Sequence, residues 1–380
     1  MCILSTFLYN FAHGKSHLVF EQMLFEHISA EEIFFFILYG ITGVVPLIAA
    51  IYLFLRQGNA FAPGVTPPMR LRRWAASFFA VAALGHVWWL LFYIYSRDLQ
   101  STSYVVVCVL DCVALLTTIA GTLLAMLQDR KRPVWPVLAA MVPVLVLGAL
   151  QILFPETSFN YITTIYILSL YMLFSVYMAY AVWQYGRWLN DNYADLENKE
   201  VWLSQTISLV CLLLFVLYVF VADIVLLYFL HLISLALFGL LLWRVETLPN
   251  LAPTPAPKAE PPVYVDIAQI EQLLTERCVD TQLYLQHDLS LQQLSRTIGT
   301  NRSYLSQYFS RQGITYNTYI NNLRINYFIS RYQEIAGTHE FDTIQQLADE
   351  SGYHSYSTFS LAFKQRTGQN VTNWIRQMTD

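Results

Sequence analysis

Seven long apolar runs fill the first two thirds of the sequence and limit what this chain can fold into. A helix needs about 20 apolar residues to cross the ~30 Å hydrocarbon core of a bilayer. Soluble domains carry about 25% charged residues, whereas this chain carries 13% and is 56% hydrophobic. The sequence therefore predicts a bundle of membrane-spanning helices, with spans at about 33–55, 74–95, 103–127, 134–153, 161–183, 203–221 and 224–243.

The number of spans depends on the last two runs, which are separated only by the sequence VAD (221–223). Six spans, with one long broken helix at the end, are the alternative to seven. Lys and Arg collect in the segments 56–73, 128–133 and 184–200, and basic loops stay in the cytoplasm. With seven spans, the N-terminus lies outside and the C-terminal part lies in the cytoplasm.

Three ionisable side chains lie at matched depth inside the predicted spans. His86, Asp111 and His231 are seven to nine residues from the outer ends of their spans. At ~1.5 Å per residue they lie about 10–14 Å below the outer surface. Because ionisable groups are costly in a membrane and often mark sites, we predict a sensor pocket at these residues. The alternative is that each makes one hydrogen bond that holds the bundle together.

The apolar half carries no sequence signature of an intramembrane enzyme. HExxH and GxSxG are absent, and no acidic pair shares a helical face deep in a span. The five cysteines are scattered and form no CxxC motif, so neither a metal site nor a disulfide framework is readable. We therefore expect a protein that is not an enzyme and has no metal and no cofactor.

A proline-rich segment separates the apolar half from a soluble half. LPNLAPTPAPKAEPPV (248–263) contains six prolines, which disfavour helix and favour an extended spacer of ~3.1 Å per residue. The predicted organisation is a transmembrane sensor domain over 1–247, this linker over 248–263, and a soluble domain over 264–380. The predicted fold class is all-α throughout.

Two similar helix-turn-helix patterns follow the linker, at about 290–312 and 343–366, and one long helix over about 315–333 connects them. In each pattern the first helix ends at a glycine, Gly299 or Gly352, whose backbone freedom suits a tight turn. The outward face of each second helix has the composition of a helix that enters a DNA major groove. These faces carry Asn301, Arg302, Ser303, Ser306, Gln307 and Ser310 in the first pattern, and Ser355, Tyr356, Ser357, Ser360 and Lys364 in the second.

Basic residues collect around these patterns, although the soluble half is net negative. Residues 289–333 and 351–379 contain no Asp or Glu, while acidic residues cluster at 260–288 and 334–350. This division keeps positive groups near DNA phosphates. We predict phosphate contacts by Arg311, Arg324 and Arg366; for Arg324, a structural ion pair in the connecting helix is the alternative.

Residues 264–378 resemble the DNA-binding domain of the AraC/XylS family of bacterial transcription regulators. The resemblance rests on LSLQQLSRTIGTNRSYLSQYF, YINNLRI, LADESGY and FSLAFKQRTG. Phe328 and Val371 depart from the family pattern, which usually has a small residue and a proline there. The resemblance implies an AraC-type DNA-binding domain over 264–380, recruitment of RNA polymerase and, with the apolar spans, a place in the bacterial inner (cytoplasmic) membrane.

The combined features predict a membrane-embedded one-component regulator. Its spans lie in the lipid bilayer and sense a small-molecule or membrane signal, and its C-terminal domain binds double-stranded DNA as a homodimer. The alternative is a membrane transporter or enzyme with a regulatory DNA-binding tail. A third interpretation uses the helix-turn-helix pair only for protein contacts.

Overall fold

The computed structural model describes residues 30–56, 68–95, 98, 101–154, 159–221, 224–251, 267–336 and 343–379. These residues form fourteen α-helices and no β-strand, which confirms the all-α prediction. The β-type contact found among them is an isolated antiparallel bridge between Tyr193 and Ser290. Most of the predicted linker, residues 252–263, lies outside the described residues.

The chain divides into two compact units, each with two sequence segments. The first unit comprises Met1–Trp183 and Val201–Pro253, and the second comprises Gln184–Glu200 and Thr254–Asp380. Residues 184–200 come from the predicted sensor domain, yet they pack with the C-terminal residues. We refer to them below as the 184–200 segment.

The described residues of the first part of the chain form seven apolar helices. Six of the described helices are long and apolar enough to cross a membrane, and α6 adds the shorter apolar stretch Trp202–Leu217. Large apolar side chains such as Ile48 and Ile51 are exposed on their surfaces, which is compatible with a membrane domain. The helices are α1 (Ala30–Leu55), α2 (Met69–Tyr95), α3 (Thr102–Met126), α4 (Trp135–Leu153), α5 (Asn160–Asn192), α6 (Trp202–Val221) and α7 (Ile224–Thr247).

A buried ion pair joins helices of the first unit. Arg72 Nη1 lies 2.8 Å from Glu246 Oε1, and both side chains are almost inaccessible to solvent. The Tyr52 hydroxyl donates a hydrogen bond to the same carboxylate at 3.1 Å, and Arg72 Nε donates one to the Leu53 carbonyl at 3.3 Å. Arg72 therefore links α7 to a carbonyl at the end of α1, where helical partners run out.

The second unit contains seven further α-helices around two hydrophobic cores. The long helix α11 contributes to both cores: Tyr316 and Ile320 belong to the first core, and Ile325, Phe328 and Tyr332 belong to the second. The helices are α8 (Ile267–Leu274, continued by a π-helical turn Thr275–Val279), α9 (Leu291–Ile298), α10 (Arg302–Arg311), α11 (Tyr316–Ala336), α12 (Ile344–Glu350), α13 (Tyr356–Thr367) and α14 (Val371–Thr379).

The two departures from the family pattern are accommodated in the second core. Phe328 is fully buried, with its ring centroid 4.5 Å from that of Phe359 and 5.8 Å from that of Phe363. α14 begins at Val371 without a proline, because Asn370 accepts a hydrogen bond from the Asn373 amide at 2.8 Å. The larger aromatic ring thus serves as a core residue between α11 and α13.

Replacing Phe328 with alanine should destabilise the second core by about 3–5 kcal/mol, because a large ring is removed from a packed interior. Hydrogen exchange of the full-length protein in lipid nanodiscs would measure the effect. Amides of α13 and α14 should exchange faster, while those of α9 and α10 should change little. Asn326→Ala, at an exposed position on the same helix, is the control; equal exchange in the two variants would contradict the packing role of Phe328.

Candidate functional site

The first helix-turn-helix pair is built from α9 and α10. Ser290 and Gln293 form a capping box at the start of α9, which ends at Gly299 with φ of 79°, a left-handed conformation that favours glycine. The seam between the two helices consists of four buried side chains. These are Leu294, Ile298, Leu305 and Tyr308.

The second pair, α12 and α13, repeats this design with a more crowded turn. Gly352 has φ of 89°, and a Cβ atom at this position would lie 2.7 Å from the Leu285 carbonyl oxygen and 2.9 Å from Arg324 Nε. Glycine is therefore required both for the backbone conformation and for the close approach. Phe359 and Phe363 of α13 are fully buried.

The outer face of α10 carries short polar side chains. Ser303, Ser306, Gln307 and Ser310 follow the i, i+3, i+4, i+7 spacing of one helical face. Ser306, Gln307 and Ser310 are exposed, and Ser303 is half-buried. Amide and hydroxyl groups of this kind hydrogen-bond to base edges in a major groove, so this face has the chemistry of a DNA-reading surface.

The outer face of α13 is similar but includes an apolar residue that the sequence analysis missed. Tyr356, Ser357 and Lys364 are exposed and Ser360 is half-buried. Leu361 is 60% exposed and lies four residues after Ser357, on the same face. An apolar side chain in a groove can contact the methyl group of thymine. The i, i+4 spacing from Ser357 is the sequence signal that could have identified Leu361.

Two of the predicted groove residues act as helix caps. The Asn301 side chain accepts a hydrogen bond from the Ser303 amide at 2.8 Å, and the Ser355 hydroxyl accepts one from the Thr358 amide at 3.3 Å. Capping satisfies amides that lack helical partners. These two side chains therefore fix where α10 and α13 begin.

The three predicted phosphate contacts differ in their surroundings. Arg311 and Arg366 are exposed in the last turns of α10 and α13. Arg324, in contrast, is fully buried: its guanidinium donates hydrogen bonds to the carbonyls of Tyr284 and Gln286, both at 2.7 Å. The prediction of a phosphate contact by Arg324 is wrong, because a buried guanidinium cannot reach DNA. Its role is structural, with carbonyl groups as partners.

Arg302, predicted to face the groove, is held by the 184–200 segment. Its Nε and Nη2 atoms both donate hydrogen bonds to Asn192 Oδ1, the first at 3.1 Å. Partial burial lowers the pKa of Arg302, and nearby Tyr193 and Asp191 oppose this effect. Sequence reasoning missed the contact because Asn192 and Arg302 are 110 residues apart.

Asp195, Asp288 and His354 form a polar cluster in the second unit. One ligand atom from each lies within 4.8 Å of the others. Lys199 Nζ, however, contacts Asp288 at 3.1 Å, and His354 Nε2 contacts the same carboxylate at 3.1 Å. Burial raises the pKa of Asp288, but Lys199 and His354 outweigh this effect and lower it overall. With these partners, the cluster forms an ion-pair network rather than a cation site.

The predicted sensor residues gather in one aromatic cluster of the first unit. The Tyr39 ring lies between His86 and His231, with centroid distances of 4.9 and 6.1 Å. Asp111 is 3% exposed and accepts a hydrogen bond from Trp89 Nε1 at 3.4 Å. Among the described residues, Asp111 Oδ1 has no hydrogen bond of standard geometry, although the Trp88 indole also approaches this carboxylate.

The hydrogen bonds of the two histidines fit a packing role. His86 Nε2 lies 3.1 Å from Thr42 Oγ1, which joins α2 to α1. His231 Nδ1 lies 2.9 Å from the Leu227 carbonyl of its own helix. The carboxylate of Asp111 is the feature that points to a ligand, because one of its oxygens lacks a hydrogen bond of standard geometry and poorly satisfied buried polar atoms are costly. The histidine contacts therefore support a packing role, and the Asp111 carboxylate supports a sensor pocket.

The comparison with protein families identifies the C-terminal part of the chain. A family model described as a helix-turn-helix domain matches residues 294–377, which include α10 to α13. No curated protein and no solved structure matches the chain. Residues 294–377 are therefore an AraC-type helix-turn-helix domain, and this domain indicates a DNA-binding transcription regulator.

Proposed function

We propose that this protein is a membrane-embedded one-component transcription regulator, in which the apolar helices receive a signal and the AraC-type domain acts on DNA. One observation carries this proposal: a single chain joins six helices of membrane-spanning length to an AraC-type helix-turn-helix domain. A DNA-binding domain works only in the cytoplasm. The protein would therefore lie in the inner membrane of a bacterium, with its N-terminus outside.

The packing of the second unit supports seven spans rather than six. The 184–200 segment contacts residues of the C-terminal domain, for example through Asn192 and Arg302, so both lie on the same side of a membrane. The chain between them contains α6 and α7. Returning to the same side takes an even number of crossings. Two crossings, one by each helix, satisfy this condition, whereas one broken helix does not.

DNA recognition would use the outer faces of α10 and α13. Ser303, Ser306, Gln307 and Ser310 would contact base edges in one major groove, while Arg311 and Arg366 would contact phosphates. The second helix would read the next turn of the groove through Tyr356, Ser357, Ser360, Leu361 and Lys364. Phosphate contacts make affinity fall with salt concentration. Binding as a homodimer, with recruitment of RNA polymerase, follows from the family resemblance.

Sensing would take place at the aromatic cluster that holds His86, Asp111 and His231. Asp111 supplies a carboxylate that is buried among apolar side chains, and such groups inside a membrane protein are expensive unless they serve a site. A small-molecule or membrane signal with a hydrogen-bond donor would satisfy Asp111 Oδ1. Its binding would favour one arrangement of the helices over another.

Selection of binding sites from random duplex DNA by residues 263–380, once circular dichroism shows that the fragment is folded, tests the DNA-reading surface. We expect two short motifs about one helical turn apart. Gln307→Ala should weaken one motif and Lys364→Ala the other, each by about 1–3 kcal/mol per base contact. Gln333→Ala, an exposed glutamine on α11, should change neither. No enrichment at low salt would contradict the proposed function.

Replacing the clustered ionisable residues should block the response to the signal. A reporter gene under the selected DNA site would be measured in cells that carry His86→Ala, Asp111→Asn or His231→Ala. We expect about a tenfold smaller response, since a hydrogen bond to a charged group contributes roughly 1.5–3 kcal/mol, with unchanged protein abundance in the membrane. Ser169→Ala, at a position where the hydroxyl donates to the Ile165 carbonyl of its own helix, is the control. A normal response in all three variants would rule out this site.

A further inference from the structure

The 184–200 segment is a packed part of the second unit. Tyr193 pairs with Ser290 in an antiparallel bridge, and the Ala194 amide donates a hydrogen bond to the Leu289 carbonyl at 3.3 Å. Ala194 is 2% exposed and belongs to the same core as α9 and α10. The segment thus adds backbone pairing and a buried side chain to the domain.

This segment reaches both DNA-reading helices. Asn192 accepts hydrogen bonds from Arg302, the first residue of α10. Glu197 Oε2 accepts one from the Thr358 hydroxyl, in the first turn of α13, at 3.1 Å. Between these two points, Asn317 of α11 donates to the carbonyls of Tyr193 and Ala194, at 3.1 and 2.7 Å. The segment therefore lies across the two helix-turn-helix pairs.

The chemistry of the segment matches that of a DNA backbone. The first turns of helices attract phosphates, because their amides are unpaired and the helix dipole is positive there. The segment presents the Glu197 carboxylate to the first turn of α13 and occupies the guanidinium of Arg302 at the start of α10. It is also acidic, with Asp191, Asp195, Glu197 and Glu200 against Arg187 and Lys199.

We propose that the 184–200 segment is an autoinhibitory strap, which competes with DNA for the first turns of α10 and α13. The inference rests on the proposed function, because it presupposes that these helices bind DNA. The segment begins with the last turns of α5, a candidate membrane span. A signal that displaces α5 would withdraw Asn192 from Arg302 and release the DNA-reading surface.

Two asparagines of α5 provide a matched test without a change of charge. Asn190 and Asn192 each donate a hydrogen bond to a carbonyl four residues earlier, at 2.9 and 2.6 Å, and Asn192 also accepts from Arg302. DNA binding would be measured with the full-length protein in lipid nanodiscs and a short random-sequence duplex. Asn192→Ala should bind about tenfold more tightly than the wild type, because the charge-assisted hydrogen bond from Arg302 to Asn192 is lost. Asn190→Ala should bind like the wild type.

The outcomes separate the strap from the proposed function. If Asn192→Ala binds DNA as the wild type does, or more weakly, the strap is excluded and the segment only supports the fold. If neither full-length protein nor the fragment 263–380, which lacks the strap, binds DNA at low salt, DNA binding itself fails. Tighter binding by the fragment than by the full chain would support the strap.

A reversible cross-link gives an independent test. Residues paired in an antiparallel bridge have Cα atoms close enough for a disulfide, so Tyr193→Cys combined with Ser290→Cys should lock the strap in place. We expect the oxidised double variant to lose DNA binding and the reduced one to regain it. The reduced form is the control for the loss of the Ser290 cap of α9, because both forms carry the same two substitutions. Equal DNA binding by both forms, with the disulfide verified by mass spectrometry, would overturn the proposal.

Discussion

The guanidinium of Arg324 holds the two helix-turn-helix pairs in a fixed relation on α11. It donates to the carbonyls of Tyr284 and Gln286, just before the first pair, and its charged group lies 5.4 Å from the ring centre of Tyr353 at the turn of the second. Loss of this side chain would leave the Tyr284 and Gln286 carbonyls without their hydrogen-bond donor. Unsatisfied polar groups in a buried site lower the stability of the fold. The distance between the two reading helices, and so the spacing of the DNA bases they meet, depends on this contact.

The second unit receives the chain from the apolar helices at two places. One is the proline-rich linker, whose composition favours an extended spacer. The other is the 184–200 segment, which continues directly from α5. In the proposed mechanism, the linker supplies proximity and the segment supplies control. A regulator of this kind needs no separate signalling protein, because displacement of the end of α5 alone would expose the first turns of α10 and α13 to DNA.

Local features of the domain could be predicted from the sequence, and distant contacts could not. Ser290, Gly299 and Gly352 mark helix ends through short-range rules of capping and backbone freedom, and the buried seam follows from helical spacing. Arg324 looked like a phosphate contact because the polar residues around it gave no sign of its burial. The contact of Asn192 with Arg302 could not be predicted for another reason: helical periodicity says nothing about which distant residue the end of a helix contacts, and these two are 110 residues apart.

The proline-rich linker has a consequence for how strongly the strap acts. Because strap and target belong to one chain, their association depends on an effective concentration, which the length of the connection sets. Cleavage of the linker would turn this association into one between separate molecules, diluted by the volume of the cell. The cut domain would then leave the membrane without its inhibitor. A protease acting at 248–263 would thus switch the regulator on permanently, with no signal bound.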